Sequence, residues 1–462
     1  NRKSGFFIGV TCPDCGAELE LEEDFFVISC QYCNSVHRLV MPDIPLVYLI
    51  PAKIKKREAR FSVDRYLKKK LLPLTSSKLQ LKRLYYPYWK IDAVLLKIRN
   101  KVYKHIVLEA GEYNQEVSHE QERTEINLTP YTTTMTAGTH YEGIPATIGM
   151  RTEYIKLVPY AQETIRENFD CLPVLKSWEE LRTQILRNVV SLGGIETADF
   201  GTNKTELFYP KASLVYFPYF MFESYRRGEF NRYIIDGVTG RFLNHITKLN
   251  VDENQLTEAP QFQFGALEII GHRCSTCGID LPAEQSYIYI CSNCHAFHSL
   301  EKCSNNVNQI FVVDSSSKPN DKLFPFWSFK IPGDTARGLK NMFGGIYSSD
   351  RLVVPAFKMP NFNAMFRLAK RMSSVSPQLE LIPLDKMNNR FLPVNISMSE
   401  AVMHAEIIIY RELYSKQFKS VRDKPKFMPE EISLFYAPFH PESYFYVDSI
   451  MNAVTFEKSL VY

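Results

Sequence analysis

Two hydrophobic periods alternate along the chain, and the clearest helical runs open on capping boxes. Ser177-Trp178-Glu179-Glu180 and Ser397-Met398-Ser399-Glu400 each place a hydroxyl three residues ahead of a carboxylate, so that each group satisfies the other's free end amide. Leu181, Ile185 and Val189 then recur on one face of the first segment, and Ala401, Ala405, Ile408 and Ile409 on one face of the second. These spacings predict two amphipathic helices whose apolar stripes are core faces rather than cofactor boxes. A further helix is expected to begin near Ser62, its hydroxyl accepting from first-turn amides, and to end at Lys68-Lys69-Lys70.

Period-two and continuous apolar runs predict strands. Leu46-Val47-Tyr48-Leu49-Ile50 is one, and Tyr85-Tyr86-Pro87-Tyr88-Trp89-Lys90-Ile91 is another. Its proline cannot donate to a ladder, which places it at a strand start or edge. Tyr233 to Phe242 reads as a hairpin, with Asp236 and Gly237 supplying the turn. Several of these segments occur twice. Leu323-Phe324-Pro325-Phe326-Trp327-Ser328-Phe329 repeats the aromatic strand, so two of the three tryptophans take equivalent positions, and Tyr88, Trp89, Phe326 and Trp327 are all expected to be buried. Ser213 to Tyr219 parallels Ser433 to Phe439 at a shift of 220 residues. Val158-Pro159 and Val354-Pro355 offer a further match, each leading into a helical stretch.

The strongest repeat is chemical. Cys12-Pro13-Asp14-Cys15-Gly16 with Cys30-Gln31-Tyr32-Cys33 recurs 262 residues later as Cys274-Ser275-Thr276-Cys277-Gly278 with Cys291-Ser292-Asn293-Cys294. Two cysteines separated by two residues form a knuckle whose thiolates converge, and two knuckles close a tetrahedral four-sulfur site suited to zinc. Four thiolates saturate the ion, whereas a catalytic zinc keeps a position open for water, so two structural Zn2+ ions are expected. Iron held as in rubredoxin is the rival reading, although the second knuckles lack the Pro and Gly of a second rubredoxin loop. His37 and His298 lie four residues past the last cysteine of each set. Three roles are open to them: replacement ligand, donor to a sulfur, or cap of the last strand.

Eight of ten cysteines are thereby used, leaving Cys171, in an apolar setting that suits a small buried hydrophobe, and Cys303. Metal-directed spacing without a disulfide framework points to a reducing compartment, hence the cytoplasm, with a place at the periphery of a membrane-bound complex left open. No run of eighteen or more apolar residues and no signal peptide is visible; the first residue is Asn1, which leaves an upstream anchor open. A length of 462 residues exceeds one core, and 45% apolar content with 31 Phe and 26 Tyr is ample for packed domains. The expected class is α+β: two tandem units, each a zinc ribbon followed by an antiparallel sheet with packed helices. The expected boundaries are 5–42 and 265–302 for the ribbons, and 43–262 and 303–462 for the α+β domains.

Net charge is only +4, so any polyanion site must be local. Residues 53 to 70 carry nine Lys or Arg against two acids, the one strong basic patch. Lys53, Lys55, Lys56, Arg57, Arg60, Lys68, Lys69 and Lys70 could contact nucleic-acid phosphates, with Tyr32 or His37 stacking on bases. The same patch suits an anionic membrane surface. Walker loop, dinucleotide fingerprint, nucleophile elbow and HExxH are all missing, and no small-molecule substrate is indicated.

The order of CPxCG knuckle, Pro51-Ala52-Lys53-Ile54 leading into a basic helix, then Tyr86-Pro87-Tyr88-Trp89 resembles a group of poorly characterised prokaryotic zinc-ribbon proteins. The likeness covers roughly residues 8 to 95. Their ribbons look like those of transcription factors and of a replication-restart helicase, whose ATPase motifs are missing here. The chain is therefore expected to be a non-enzymatic zinc-ribbon scaffold or adaptor within a larger protein assembly, with nucleic-acid binding through residues 53–70 and the ribbon surfaces as the alternative.

Overall fold

The computed structural model describes residues 6–22, 25–40, 44–70, 79–109, 115–149, 155–160, 169–193, 204–226, 229–248, 262–300, 310–314, 318–331, 350–384, 387, 390–416, 427–452 and 454–461. Cys303 lies outside them. The fold is α+β, mostly strands in several sheets with few helices. Two compact units divide it: Asn1–Leu95, Thr129–Thr197 and Lys204–Ile270 form the first, and Leu96–Leu128, Ala198–Asn203 and Gly271–Tyr462 the second.

Strands β1 (Phe6–Thr11), β2 (Glu18–Glu22), β3 (Val27–Ser29), β4 (Val36–Val40) and β5 (Val47–Leu49) precede helix α1 (Lys56–Lys69). They are followed by β6 (Gln80–Glu109), β7 (Gln115–Thr136), β8 (Ile155–Pro159), β9 (Asp170–Cys171), α2 (Trp178–Gly193), β10 (Lys204–Arg226), β11 (Glu229–Asp236), β12 (Phe242–Ile246) and β13 (Glu268–Gly271). The large sheet runs β12-β11-β10-β5-β8-β1-β2, with β6 against β10 and with β7 and β9 against β6; a small sheet runs β13-β4-β3. The second unit holds β14 (Ile288–Ile290), β15 (Phe297–Ser299), β16 (Ile310–Val313), β17 (Lys322–Lys330), β18 (Arg351–Pro355), α3 (Phe362–Val375), β19 (Leu381–Pro383), α4 (Met398–Lys416), β20 (Ile432–Pro441), β21 (Phe445–Asp448) and β22 (Thr455–Glu457). Its main sheet runs β18-β17-β20-β16-β19, extended by β21 and β22, and β14 pairs with β15.

Both large sheets are mixed rather than antiparallel, which corrects the expectation above. Strand β5 runs parallel to β10, β1 parallel to β8, and β16 parallel to β20. The physical reason is long-range: each short strand after a four-cysteine module docks beside a strand far along the chain, and no hairpin turn constrains its direction.

One frame is built in each unit. Pro87 lies inside β6, and Pro325 lies inside β17 between β18 and β20, so neither occupies a strand start or an edge. The Pro87 carbonyl accepts from the Ala137 amide, and the Pro325 carbonyl from the Ala356 amide, both at 2.9 Å. A non-proline residue there would return a bond to the alanine carbonyl. That carbonyl instead accepts two amides at a helix entry: Leu175 and Lys176 on Ala137 at 2.8 and 3.0 Å, and Asn395 and Ile396 on Ala356 at 3.0 and 3.1 Å. The indole Nε1 of Trp89 then donates to the Lys176 carbonyl and that of Trp327 to the Ile396 carbonyl, each at 2.9 Å. Immediately beyond, the Ser177 hydroxyl accepts from the Glu180 amide at 3.2 Å and the Ser397 hydroxyl from the Glu400 amide at 3.0 Å, opening α2 and α4 as the capping boxes predict.

The turns repeat as well. The Asp236 carboxylate accepts from the Val238 and Thr239 amides, and that of Asp448 from Ile450, Met451 and Val454, so both aspartates organise turns. The Val-Pro match does not survive. Pro159 pairs with Tyr48 on β5, and its counterpart in the second unit is Pro383, which pairs with Phe311 on β16. Val354-Pro355 ends β18, immediately before Ala356, and corresponds to the end of β7 before Ala137.

Tyr88, Trp89, Phe326 and Trp327 are buried, as the pattern requires. Where the second core uses Phe324, Phe326 and Phe439, the first has Tyr86, Tyr88 and Tyr219. Its added hydroxyls are satisfied: Tyr88 and Tyr219 bond each other at 2.8 Å, and Tyr88 and Tyr86 reach the Pro145 and Thr139 carbonyls. Helix α1 begins at Lys56, not Ser62, because the Glu58 carboxylate accepts from the Lys55 amide at 2.6 Å and supplies the acceptor at that end. Ser62 sits mid-helix and donates to the Gly240 carbonyl at 2.7 Å, tying α1 to the Asp236 turn. Ala59, Val63 and Leu67 bury its inner face against Phe220, Phe222, Tyr233 and Ile235.

Candidate metal centres

Four knuckles share one backbone. The first cysteine of each donates its amide to the residue five positions on: Cys12 to Ala17, Cys30 to Ser35, Cys274 to Ile279 and Cys291 to Ala296, at 2.8–2.9 Å. Its carbonyl accepts from the residue four positions on, Gly16, Asn34, Gly278 and His295, at 2.9–3.0 Å. Those four residues all have positive φ, between 59° and 77°. Glycine adopts that conformation without penalty and Asn tolerates it, whereas His295 holds it at some strain.

This geometry turns the sulfurs inward. Cys12 and Cys33 Sγ lie 3.8 Å apart and Cys15 and Cys30 Sγ 3.6 Å; in the second module Cys274 and Cys294 lie 3.5 Å apart and Cys277 and Cys291 3.6 Å. A disulfide needs about 2.05 Å, and all eight sulfurs are free. With Zn–S bonds of about 2.3 Å, a tetrahedron of sulfurs has edges of about 3.8 Å. Each quartet, its ligand atoms all within 4.8 Å of one another, therefore fits one tetrahedral zinc ion. The leading cysteine of every knuckle is buried, while Cys15, Cys33 and Cys277 are exposed.

The electrostatics also call for a cation. Burial opposes ionisation of Cys12, but the amides of Cys15 and Asp14 and the Ser35 hydroxyl outweigh it and bring the thiol down to about 5. Burial likewise opposes ionisation of Cys274, and the Cys277 and Thr276 amides bring it down to about 5. At Cys15 the Ala17 amide favours the thiolate, yet burial and the three neighbouring sulfurs push the group up to about 12. Four thiolates this close repel one another unless a metal neutralises them.

Both histidines stand beside a sulfur of their quartet. His37 Nε2 lies 3.4 Å from Cys12 Sγ, and His298 Nε2 lies 3.1 Å from Cys274 Sγ. Each imidazole faces a sulfur that already belongs to a quartet, as a donor would. In the first module the network is larger: the Ser35 hydroxyl lies 2.7 Å from His37 Nε2 and 3.0 Å from Cys33 Sγ, and Asp14 lies 3.7 Å from the ring. Ala296 and Thr276 replace the serine and aspartate in the second.

The modules differ in their seating. Ile8, Val10, Leu19, Leu21 and Leu39 of the first share one apolar cluster with Tyr86, Tyr88 and Tyr219 of the sheet. The second has its own small cluster of Cys274, Leu281, Tyr289 and Cys291. It is held to its unit by the Tyr287 amide on the Val394 carbonyl at 2.7 Å and by the Val394 amide on the Ser286 hydroxyl at 3.1 Å.

The basic residues gather on α1 and the turn before it. Lys53, Lys55, Lys56, Arg57, Lys68, Lys69 and Lys70 are exposed; Arg60 is half-buried and paired with Asp64 at 3.2 Å. Sequence reasoning passes over Phe61 and Arg65, although their spacing from Arg57, four and eight residues on, marks one helix face. Cys171 is half-buried on β9 rather than buried, and its thiol is raised, first by burial and then by the Asp170 charge. Among the described residues, no helix is long and apolar enough to cross a membrane. No family model matches the chain, and no curated protein or solved structure matches it significantly.

Proposed function

We propose that this chain is a doubled zinc-ribbon scaffold, a non-catalytic subunit of a larger protein assembly that descends from a tandem duplication. Each ribbon holds one structural Zn2+, through Cys12, Cys15, Cys30 and Cys33 in the first and Cys274, Cys277, Cys291 and Cys294 in the second. The observation that carries this reading is the repeated saturation of the donor set, with four sulfurs at tetrahedral spacing in each module beside the same proline, alanine and tryptophan frame. A zinc so ligated stabilises shape and offers no position to substrate. The element order over residues 8 to 95, which resembles that of prokaryotic zinc-ribbon proteins, is consistent with the same reading. Exposed aromatics such as Tyr32, 75% accessible at a knuckle tip, and Tyr444, 79% accessible on the β20–β21 turn, are of the type enriched at protein interfaces. Mild purification from the native source tests the proposal. A stable complex retaining two zinc ions per chain is expected, and a lone monomer, or an ion with an exchangeable water ligand, refutes it.

A further inference from the structure

The outer face of α1 carries chemistry that the scaffold reading does not use. Arg57, Phe61 and Arg65 follow one another at one-turn spacing, about 6 Å per step along the axis, and Lys68 continues the stripe. This face lies opposite Ala59, Val63 and Leu67, which are buried. Phe61 is 59% exposed, and the Arg65 guanidinium lies 4.9 Å from its ring centroid. The stripe borders a groove of about 610 Å³ closed on its other side by Thr239 and Gly240 of the Asp236 turn. The two acids of the segment are engaged, Asp64 with Arg60 and Glu58 with the Lys55 amide. Glu58 keeps its charge, so the three arginines and two carboxylates that line the groove leave it a net charge of +1.

We propose that this groove binds single-stranded nucleic acid, with a base stacking on Phe61 and flanking phosphates on Arg57 and Arg65. The proposal goes beyond the scaffold reading and does not depend on it. With the Arg65 guanidinium over one face of the Phe61 ring, the opposite face is the stacking platform for an unpaired base, whatever its identity, and the cations track the backbone. A paired base presents no free face to such a ring. A lipid surface fits less well, because the apolar face of α1 is already packed into the sheet and a single exposed phenylalanine remains.

Fluorescence anisotropy with a labelled oligothymidylate of about 16 nucleotides, using the full chain with its metal bound, tests the idea. Phe61→Leu, which keeps an apolar side chain but cannot stack, is expected to weaken binding by about 5- to 150-fold. Phe61→Trp is expected to retain it, with the new indole quenched on binding. Arg57→Gln with Arg65→Gln should flatten the log-log salt slope by about 1.4, at about 0.7 per phosphate contact on a single strand. Zinc content and melting equal to wild type establish that each variant is folded. Four results overturn the proposal: no oligonucleotide binding at low salt, affinity indifferent to Phe61→Leu, duplex bound as tightly as single strand, or binding only to phosphatidylserine–phosphatidylcholine vesicles.

Discussion

Replacing Cys12 with serine measures how far a metal centre supports its surroundings. Cys12 is buried in the apolar cluster that also contains the first sheet's aromatic residues. The module contributes Ile8, Val10, Leu19, Leu21 and Leu39 to that cluster. At about 1.5–3 kcal/mol for each fully buried side chain, about 8–15 kcal/mol of burial depends on the module keeping its shape, an upper bound because unfolded chains already bury part of their apolar surface. The same reckoning for the second module covers only Leu281 and Tyr289, about 3–6 kcal/mol. A structural zinc contributes about 10–16 kcal/mol to forming such a module, and whole domains are stable by only about 5–15 kcal/mol. Loss of the first ion is therefore expected to loosen β1 and β2 and to reach β8 and β5 beyond them. Cys274→Ser should disturb only residues 271–300. Hydrogen-exchange mass spectrometry, run with a metal count on each variant, reads both effects. The reasoning fails if faster exchange in Cys12→Ser stays within residues 6–40, or if Cys274→Ser exposes β16, β17 and β20.

Three further outcomes are expected. His37→Ala and His298→Ala should keep two zinc ions while weakening zinc affinity about 10- to 100-fold, as expected when a hydrogen bond to a ligand is lost; loss of an ion from either variant under excess zinc would make the histidine a ligand. His404 is fully buried, and desolvation lowers it from 6.5 to about 4. Its neutral form is the folded one, so protons bind preferentially to the unfolded chain and stability drops as pH falls from 6.5 towards 4, by about 2 kcal/mol at pH 5; urea titrations at pH 7 and pH 5 should show this loss shrinking in His404→Phe, and an unchanged loss excludes His404 as its source. Trp89→Phe and Trp327→Phe each leave a helix-entry carbonyl without its indole donor, an expected cost of about 1–3 kcal/mol apiece; chemical denaturation showing one neutral and one damaging would contradict the equivalence of the two frames.

What could be read from the sequence was local. Cysteine spacing alone places both quartets, because a knuckle is made by six consecutive residues, and the capping boxes mark the starts of α2 and α4 for the same reason. Pairing is non-local, and there the pattern misleads. Val354-Pro355 looks like Val158-Pro159, yet their neighbours in space differ, since β18 lies beside β17 whereas β8 lies beside β5 and β1. Parallel pairing of β5 with β10 joins Val47 to Leu214, a distance along the chain that no turn signal spans. Ser62 looks like a cap because serine usually is one; the carboxylate of Glu58 had already filled that role a turn earlier. Phe61 was hidden by its own company, an aromatic among lysines and arginines whose spacing matters only once the buried face of α1 is known.

The proline and tryptophan latch leaves the chain between its two strands free to change. Beyond Pro87 and Trp89 the two strands run on to Glu109 and return from Gln115, while beyond Pro325 and Trp327 they stop at Lys330 and resume at Arg351. Both still close on the same alanine carbonyl and the same indole. Insertions and deletions can therefore accumulate between exit and return without opening the latch, and a foreign segment spliced into that interval would leave the remainder of the fold intact.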